Sequence, residues 1–300
     1  MQVNMPHHAE DMVRLINSAF GKNPLVTEGL DEAAILAKVL PVAKSQFEII
    51  KQEVEEIFDA TNPDEFRDAA SDILVTVFGM PFLLGHERLT PYIKAAQISN
   101  EVVYPLCPSL TIRDVIVAVN TRAIASLAPI TSIYSDEIEW PKLGLKMRQM
   151  FSGDLAALEH SCSAGSVPDI LEYCSNLVIL ANQVSLNHGF NIDRDMEEVC
   201  SKLLTRLAPS EEVAEATVKH FSENVGVESH YSPSTVVAGH YTIRVKAQAV
   251  GTDGKTYAEN KFLKALGFQE PVFSEPYDSE LHALLPTGAE ATEVPADTGC

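Results

Sequence analysis

The chain has no uninterrupted apolar run of about 18 residues, the length a membrane-spanning helix needs, so none of it reads as a bilayer segment. Positive charge is scarce as well. Lys and Arg number 22 against 42 Asp and Glu, a formal net charge of −20. Nucleic-acid backbones are gripped by clustered Lys and Arg, so this balance argues against a nucleic-acid partner. The five cysteines, Cys107, Cys162, Cys174, Cys200 and Cys300, are scattered and include no C-x-x-C pair. That pattern argues against zinc and against a disulfide framework, and it suits the reduced thiols of a cytoplasmic protein. The first residues, MQVNMPHHAEDMVRL, carry neither the basic nor the apolar region of a signal peptide. His7 and His8 fall in this stretch, and no H-E-x-x-H or G-x-S-x-G occurs anywhere.

What the sequence does have is enough to fold. Of its 300 residues 46% are hydrophobic and 21% charged, ordinary for a globular protein and sufficient for two domains. Helical periodicity dominates from residue 9 to about 224. In SQFEIIKQEVEEIFDA, Phe47, Ile50, Val54, Ile57 and Phe58 recur at three- and four-residue steps and mark one apolar stripe. TNPDEF interrupts it. Thr61 or Asn62 suits a cap, Pro63 a first helical position, and Asp64 and Glu65 a first turn, so a second helix runs from about Pro63 to Leu84 and stops near Gly85. Together they make a helical hairpin. Trp140 and the methionines lie in apolar helical patterns and belong to the core.

The pattern then starts again about a hundred residues on. DMVRLINSAF from Asp11 resembles DVIVAVNTRA from Asp114, and DAASDILVTVFGMPFLLG from Asp68 resembles EYCSNLVILANQVSLNHG from Glu172, ending on Gly85 and Gly189. A tandem duplication of helical units is expected. Past Leu207 the character changes. PSEEVAEATVKHFSENVG reads as a helix capped by Ser210, and GHYTIRVKAQAVGTDGKTY as a β-hairpin turning at Asp253-Gly254. From about Ser274 the acidic, Pro/Ala/Thr-rich sequence reads as a tail without fixed structure. The division is therefore 1–108, a first helical unit; 109–207, a second; 208–273, a small α+β extension; and 274–300, the tail.

The first hairpin carries the chemistry. Glu53 and Glu56 are three apart and leave one face of the first helix; Asp68 and Asp72, four apart, do the same on the second. If the hairpin closes at TNPDEF, both pairs converge beside the apolar stripe, where four carboxylates repel one another unless a cation joins them. Oxygen ligands without His or Cys indicate Mg²⁺ or Mn²⁺. The competing reading is a set of solvated surface acids on a very acidic protein. Lys51 and Arg67 flank the acids and could steady phosphate oxygens, or form surface salt bridges.

KQEVEEIFDATNPDEFRDAASDILVTVFG resembles the MazG-like all-α nucleoside triphosphate pyrophosphohydrolases, which carry E-x-x-E on one helix and a second acidic motif ending in Asp on the next. It is most similar to phage-type, phosphoribosyl-ATP pyrophosphohydrolase-like members. Their tails resemble EEVAEATVKHF and ENKFLKALGFQEP here. The resemblance implies a mainly α fold of two tandem MazG-like units with a small α+β extension. It also implies cleavage of a nucleoside triphosphate to monophosphate and pyrophosphate, with Glu53, Glu56 and Asp72 as catalytic metal ligands. Asp68 stands one position earlier than the first acid of the commoner E-x-x-D form, where this chain has Ala69. Asn100, in QISN, matches the family's nucleotide-contacting Ser-Asn. In the second unit Asp154, Ala157 and Asn176 take the places of Glu53, Glu56 and Asp72, so that copy implies no metal site of its own. The implied partner is a nucleotide, with the oligomeric state open between monomer and homodimer.

Two other classes compete. AVGTDGKT, residues 249–256, fits a relaxed phosphate-loop pattern and would suit a nucleotide kinase, but the preceding strand alternates polar and apolar residues and Asp-Gly is a hairpin turn. A non-catalytic nucleotide-binding protein could use the same bundle with its acids free of metal.

Overall fold

The computed structural model describes residues 9–86, 89 and 133–273, excepting the side chains of Leu186 and Asn187. The protein is mainly helical, with two small antiparallel sheets. The elements are α1 (Ala9–Ala19), α2 (Glu32–Asp59), α3 (Pro63–Leu83), α4 (Trp140–Ala164), α5 (Val167–His188), α6 (Ile192–Leu204) and α7 (Glu211–His220). A π-helical turn (Phe221–Val225) and strands β1 (Ser229–Pro233), β2 (Tyr241–Val245), β3 (Ala249–Val250) and β4 (Thr256–Tyr257) follow.

α2 and α3 pack as the expected hairpin, α4 and α5 as another, and the two stack with α2 against α4 and α3 against α5. α1 and α6 cover the far side of α3. The sequence of α3 explains this central place. From Ile73 to Phe82 almost every side chain is apolar, and Phe66, Ala69, Ala70, Ile73, Leu74, Val77, Phe78 and Met80 are all buried. A helix apolar on most of its circumference needs neighbours all round. One continuous core runs through α1 to α6, so the two halves of the bundle pool their apolar faces.

α2 is longer than the periodicity from Phe47 indicates. It starts at Glu32 under an Asp31 cap (Oδ1 accepting from Ala34 N, 2.8 Å) and continues through Pro41. α3 matches its expected bounds. α3 and α5 both run into left-handed glycines, Gly85 (φ 80°) and Gly189 (φ 78°), as the paired sequences suggest. Gly85 is held by more than its φ, because a Cβ there would meet the Leu25 carbonyl at 2.4 Å. Gly144 is a second such contact: a Cβ would lie 2.1 Å from Phe58 O, so α4 crosses the end of α2 at backbone distance.

The extension differs from expectation in its pairing. β2 pairs antiparallel with the upstream β1, Tyr231 opposite Ile243, and the Asp253-Gly254 turn joins only the two-residue strands β3 and β4. Ile243 and Val245 are the buried apolar members of β2, and they pack with Ala214 of α7, Val227 and Leu263 in a separate small core, which fixes which way the strand faces. Residues 249–256 therefore run from β3 through the Asp253-Gly254 turn into β4, without the helix a phosphate loop requires. The 114–120 member of the first repeat pair, Asn100, Cys107, Cys300, His7, His8 and the 274–300 tail lie outside the described residues. Among the described residues, no helix is long and apolar enough to cross a membrane.

The extension is sewn to the bundle. Arg244 Nη2 donates to Phe20 O (2.7 Å) and Ser234 Oγ donates to Ala19 O (2.9 Å). Residues 263–273 then run back along α6 as a strap. Ala265 N donates to Arg206 O (3.2 Å), Gln269 N to Thr205 Oγ1 (3.1 Å) and Val272 N to Glu198 Oε1 (3.0 Å).

Candidate functional site

The turn between α2 and α3 sets how the acids meet. Asn62 Oδ1 accepts from Glu65 N (3.0 Å), while Glu65 Oε2 accepts from Thr61 N and Thr61 Oγ1 (2.8 Å each). This reciprocal cap fixes the register of the hairpin and uses up Glu65. On α2, Ile50, Val54 and Ile57 are buried and Glu53 and Glu56 stand at the edge of their stripe, Glu53 partly buried and Glu56 exposed. On α3, Asp68 and Asp72 are partly buried between Phe66, Ala69 and Ile73.

The four carboxyls act on one another. Burial, then repulsion from Glu56 and Asp68, pushes Glu53 up to about 7. Burial, then repulsion from Glu56 and Glu270, pushes Asp68 up to about 6. Asp72 lies well above the usual carboxylate range, through burial first and then Glu53 and Asp68. Glu56 is raised by burial. Both expected pairs are thus brought together across the hairpin.

The opposing positive charge comes from elsewhere in the chain. Arg206, just past α6, acts on Glu53, Asp68 and Asp72, and Lys264 in the strap acts on Asp68. Lys51 is displaced from this role. A helix turns about 100° per residue, so Lys51 leaves α2 on nearly the opposite side from Glu53. Arg67 is committed to structure. Its Nε donates to Asp195 Oδ2 at 2.8 Å, its Nη2 to Asp195 Oδ1, and its Nη1 to Tyr134 Oη at 2.8 Å, with the pair 3% and 1% exposed. The Phe273 ring lies 4.8 Å from the guanidinium carbon.

The donor set suits a hard divalent cation, being all carboxylate oxygen. Asp68 Oδ1 supplies a structural sign of the same kind, a buried acceptor with no hydrogen-bond partner. Among the described residues no three His, Cys, Asp or Glu form a ready-made metal-binding group. Like charges hold each other apart, so rotamer changes would draw these acids in around a cation. In donor chemistry the four carboxylates fit Mg²⁺ or Mn²⁺, while their side chains as placed form no closed metal-binding group.

The second hairpin carries the counterpart positions. Asn176 Nδ2 on α5 donates to Asp154 Oδ1 on α4 at 2.9 Å. A neutral amide satisfies the Asp154 carboxylate where Asp72 and Glu53 repel each other.

Sequence reasoning missed Arg206, Lys264 and Glu270. Nothing local marks them, because they reach the acids only through the path of the strap. No family model matches the chain, and neither does any curated protein or solved structure.

Proposed function

We propose that the chain is a Mg²⁺- or Mn²⁺-dependent nucleoside triphosphate pyrophosphohydrolase of the MazG-like kind. The observation that carries the reading is the crowding of Glu53, Glu56, Asp68 and Asp72 at one hairpin, each with its carboxyl raised and with Arg206 set against three of them. Structural acids are spread or paired. A partly buried cluster that repels itself is the arrangement expected where a divalent cation and a polyphosphate are to be received.

Glu53, Asp68 and Asp72 would hold the cation, which supplies charge neutralisation and polarises the phosphoryl oxygens. Glu56 is the most exposed of the four, which would leave it open to an attacking water. Its raised carboxyl is suited to take the water's proton at an Oε atom. The water oxygen bonds to the α-phosphorus, the bond from that phosphorus to the α–β bridging oxygen breaks, and pyrophosphate leaves with the bridging oxygen.

Incubating the full chain with each of the eight common nucleoside triphosphates and Mg²⁺, and separating products by chromatography, tests the reading. Monophosphate and pyrophosphate in equal amounts are expected from at least one substrate. A diphosphate product, or no product from any of the eight, would overturn it.

A further inference from the structure

We infer that Arg206 binds the phosphate tail of the substrate, and that the α+β extension, whose strap packs against Arg206, supports the site; this rests on the pyrophosphohydrolase reading above. The arginines of the chain are used very differently. Arg67 is saturated by Asp195 and Tyr134, and Arg244 Nη2 donates to the Phe20 carbonyl. Arg206 makes no hydrogen bond or ion pair through its guanidinium to any described residue, and its Nε is buried without an acceptor. A buried N–H left unmatched is costly, so its persistence beside three carboxylates it does not touch calls for a reason.

The geometry supplies one. The Arg206 guanidinium lies 5.5 Å from the Phe268 ring centroid, and Lys264 Nζ lies 4.3 Å from the same centroid. The strap thus sets two cations on one aromatic wall beside the acids. Lys264 is already paired with Glu270 at 2.6 Å. Arg206 keeps Nη1 and Nη2 unbonded to any described residue, and this planar pair of donors can match two phosphate oxygens at once. The charge balance requires such a group. A polyphosphate approaching four carboxylates meets repulsion that a bound cation relieves only in part, and Lys51 faces away.

A plainer role, a counter-ion that merely calms the acids, predicts a different result in one measurement. Removing a counter-ion strengthens the attraction of the acids for Mg²⁺ and, once Mg²⁺ saturates the site, leaves pyrophosphate binding unchanged. Removing a phosphate ligand leaves Mg²⁺ binding as tight or tighter while weakening pyrophosphate. The test is calorimetric titration of the full chain with Mg²⁺ alone, then with inorganic pyrophosphate at saturating Mg²⁺. We expect Arg206→Gln to keep or improve Mg²⁺ affinity and to weaken pyrophosphate about 10- to 100-fold, the range of a charge-assisted bidentate contact. Arg206→Lys keeps the charge and stem without the fork and should fall between the two. Pyrophosphate affinity unchanged in Arg206→Gln, with the parent binding both ligands, overturns the role of Arg206 and leaves the hydrolase reading standing. A parent that binds neither Mg²⁺ nor pyrophosphate removes both. Should Arg206→Gln fail to fold, Arg206→Lys is read the same way, and parent-like pyrophosphate binding overturns the inference.

Discussion

Glu53 and Asp68 hold protons in a pH range where free carboxylates have lost them. Their folded values, about 7 and about 6, stand above the ordinary 4.5 and 3.8. Between the ordinary and raised values the folded chain binds more protons than the unfolded one, so its stability falls as pH rises. The contribution is complete below the ordinary values and gone once both folded groups have ionised. In chelator, the melting temperature should therefore drop between about pH 5 and about pH 8, and Mg²⁺ should raise it more at the upper end. A melting temperature flat across that range, or indifferent to Mg²⁺, would return the acids to the surface class. Glu56→Gln and Asp72→Asn should each abolish Mg²⁺-dependent turnover, by about 100-fold or more, with circular dichroism unchanged. Neither substitution opens a cavity. Turnover at parental rate in either variant would remove that residue from the site.

At the scale of the elements, the buried Arg67–Asp195 pair ties α3 to α6. Arg67→Met leaves Asp195 buried without its partner and should cost about 3–5 kcal/mol in denaturant unfolding, whereas Arg67→Met with Asp195→Leu should recover most of it. Equal losses in the single and double variants would show that shape, rather than unpaired charge, decides the cost. Gly144→Ala should also destabilise, by about 1–3 kcal/mol, because Phe58 O occupies the space of the new methyl and two helix backbones must separate. An unchanged melting curve would mean that α4 can slide on α2. The hairpin and its acids were legible because every signal for them is local: the stripe through Phe47 and Val54, the Asn62 cap, Pro63, and the three- and four-residue spacing of the carboxylates. The pairing of β2 was not. Alternation marks a strand without naming its partner, and the decision lies in the burial of Ile243 and Val245 against α7. Arg67 was readable only as a charge near phosphate or at the surface, since the Asp195 that claims it is distant in sequence.

At the scale of the molecule, the bundle is built from two hairpins of which one carries the acid cluster. Asp154 and Glu172 are the acids left at the matching positions of the other, and Asn176 already satisfies Asp154. Changing Asp154→Asn and Glu172→Gln together should leave Mg²⁺-dependent turnover within a few-fold of the parent, because two acids are too few ligands for a hard dication. Loss of turnover as complete as in Asp72→Asn, in a folded protein, would place one site across both hairpins. The strap adds a temporal consequence. During synthesis the acids of α2 and α3 emerge long before Arg206, Lys264 and Glu270, and the strap can dock only on a finished α6. A nascent chain stalled on the ribosome with about 200 residues exposed would thus have the α2–α3 hairpin while lacking Arg206 and Lys264. On the proposed reading, Arg206 and the strap would therefore reach the acids only in the last stretch of translation, and a half-made chain would present the acids without the arginine set against them.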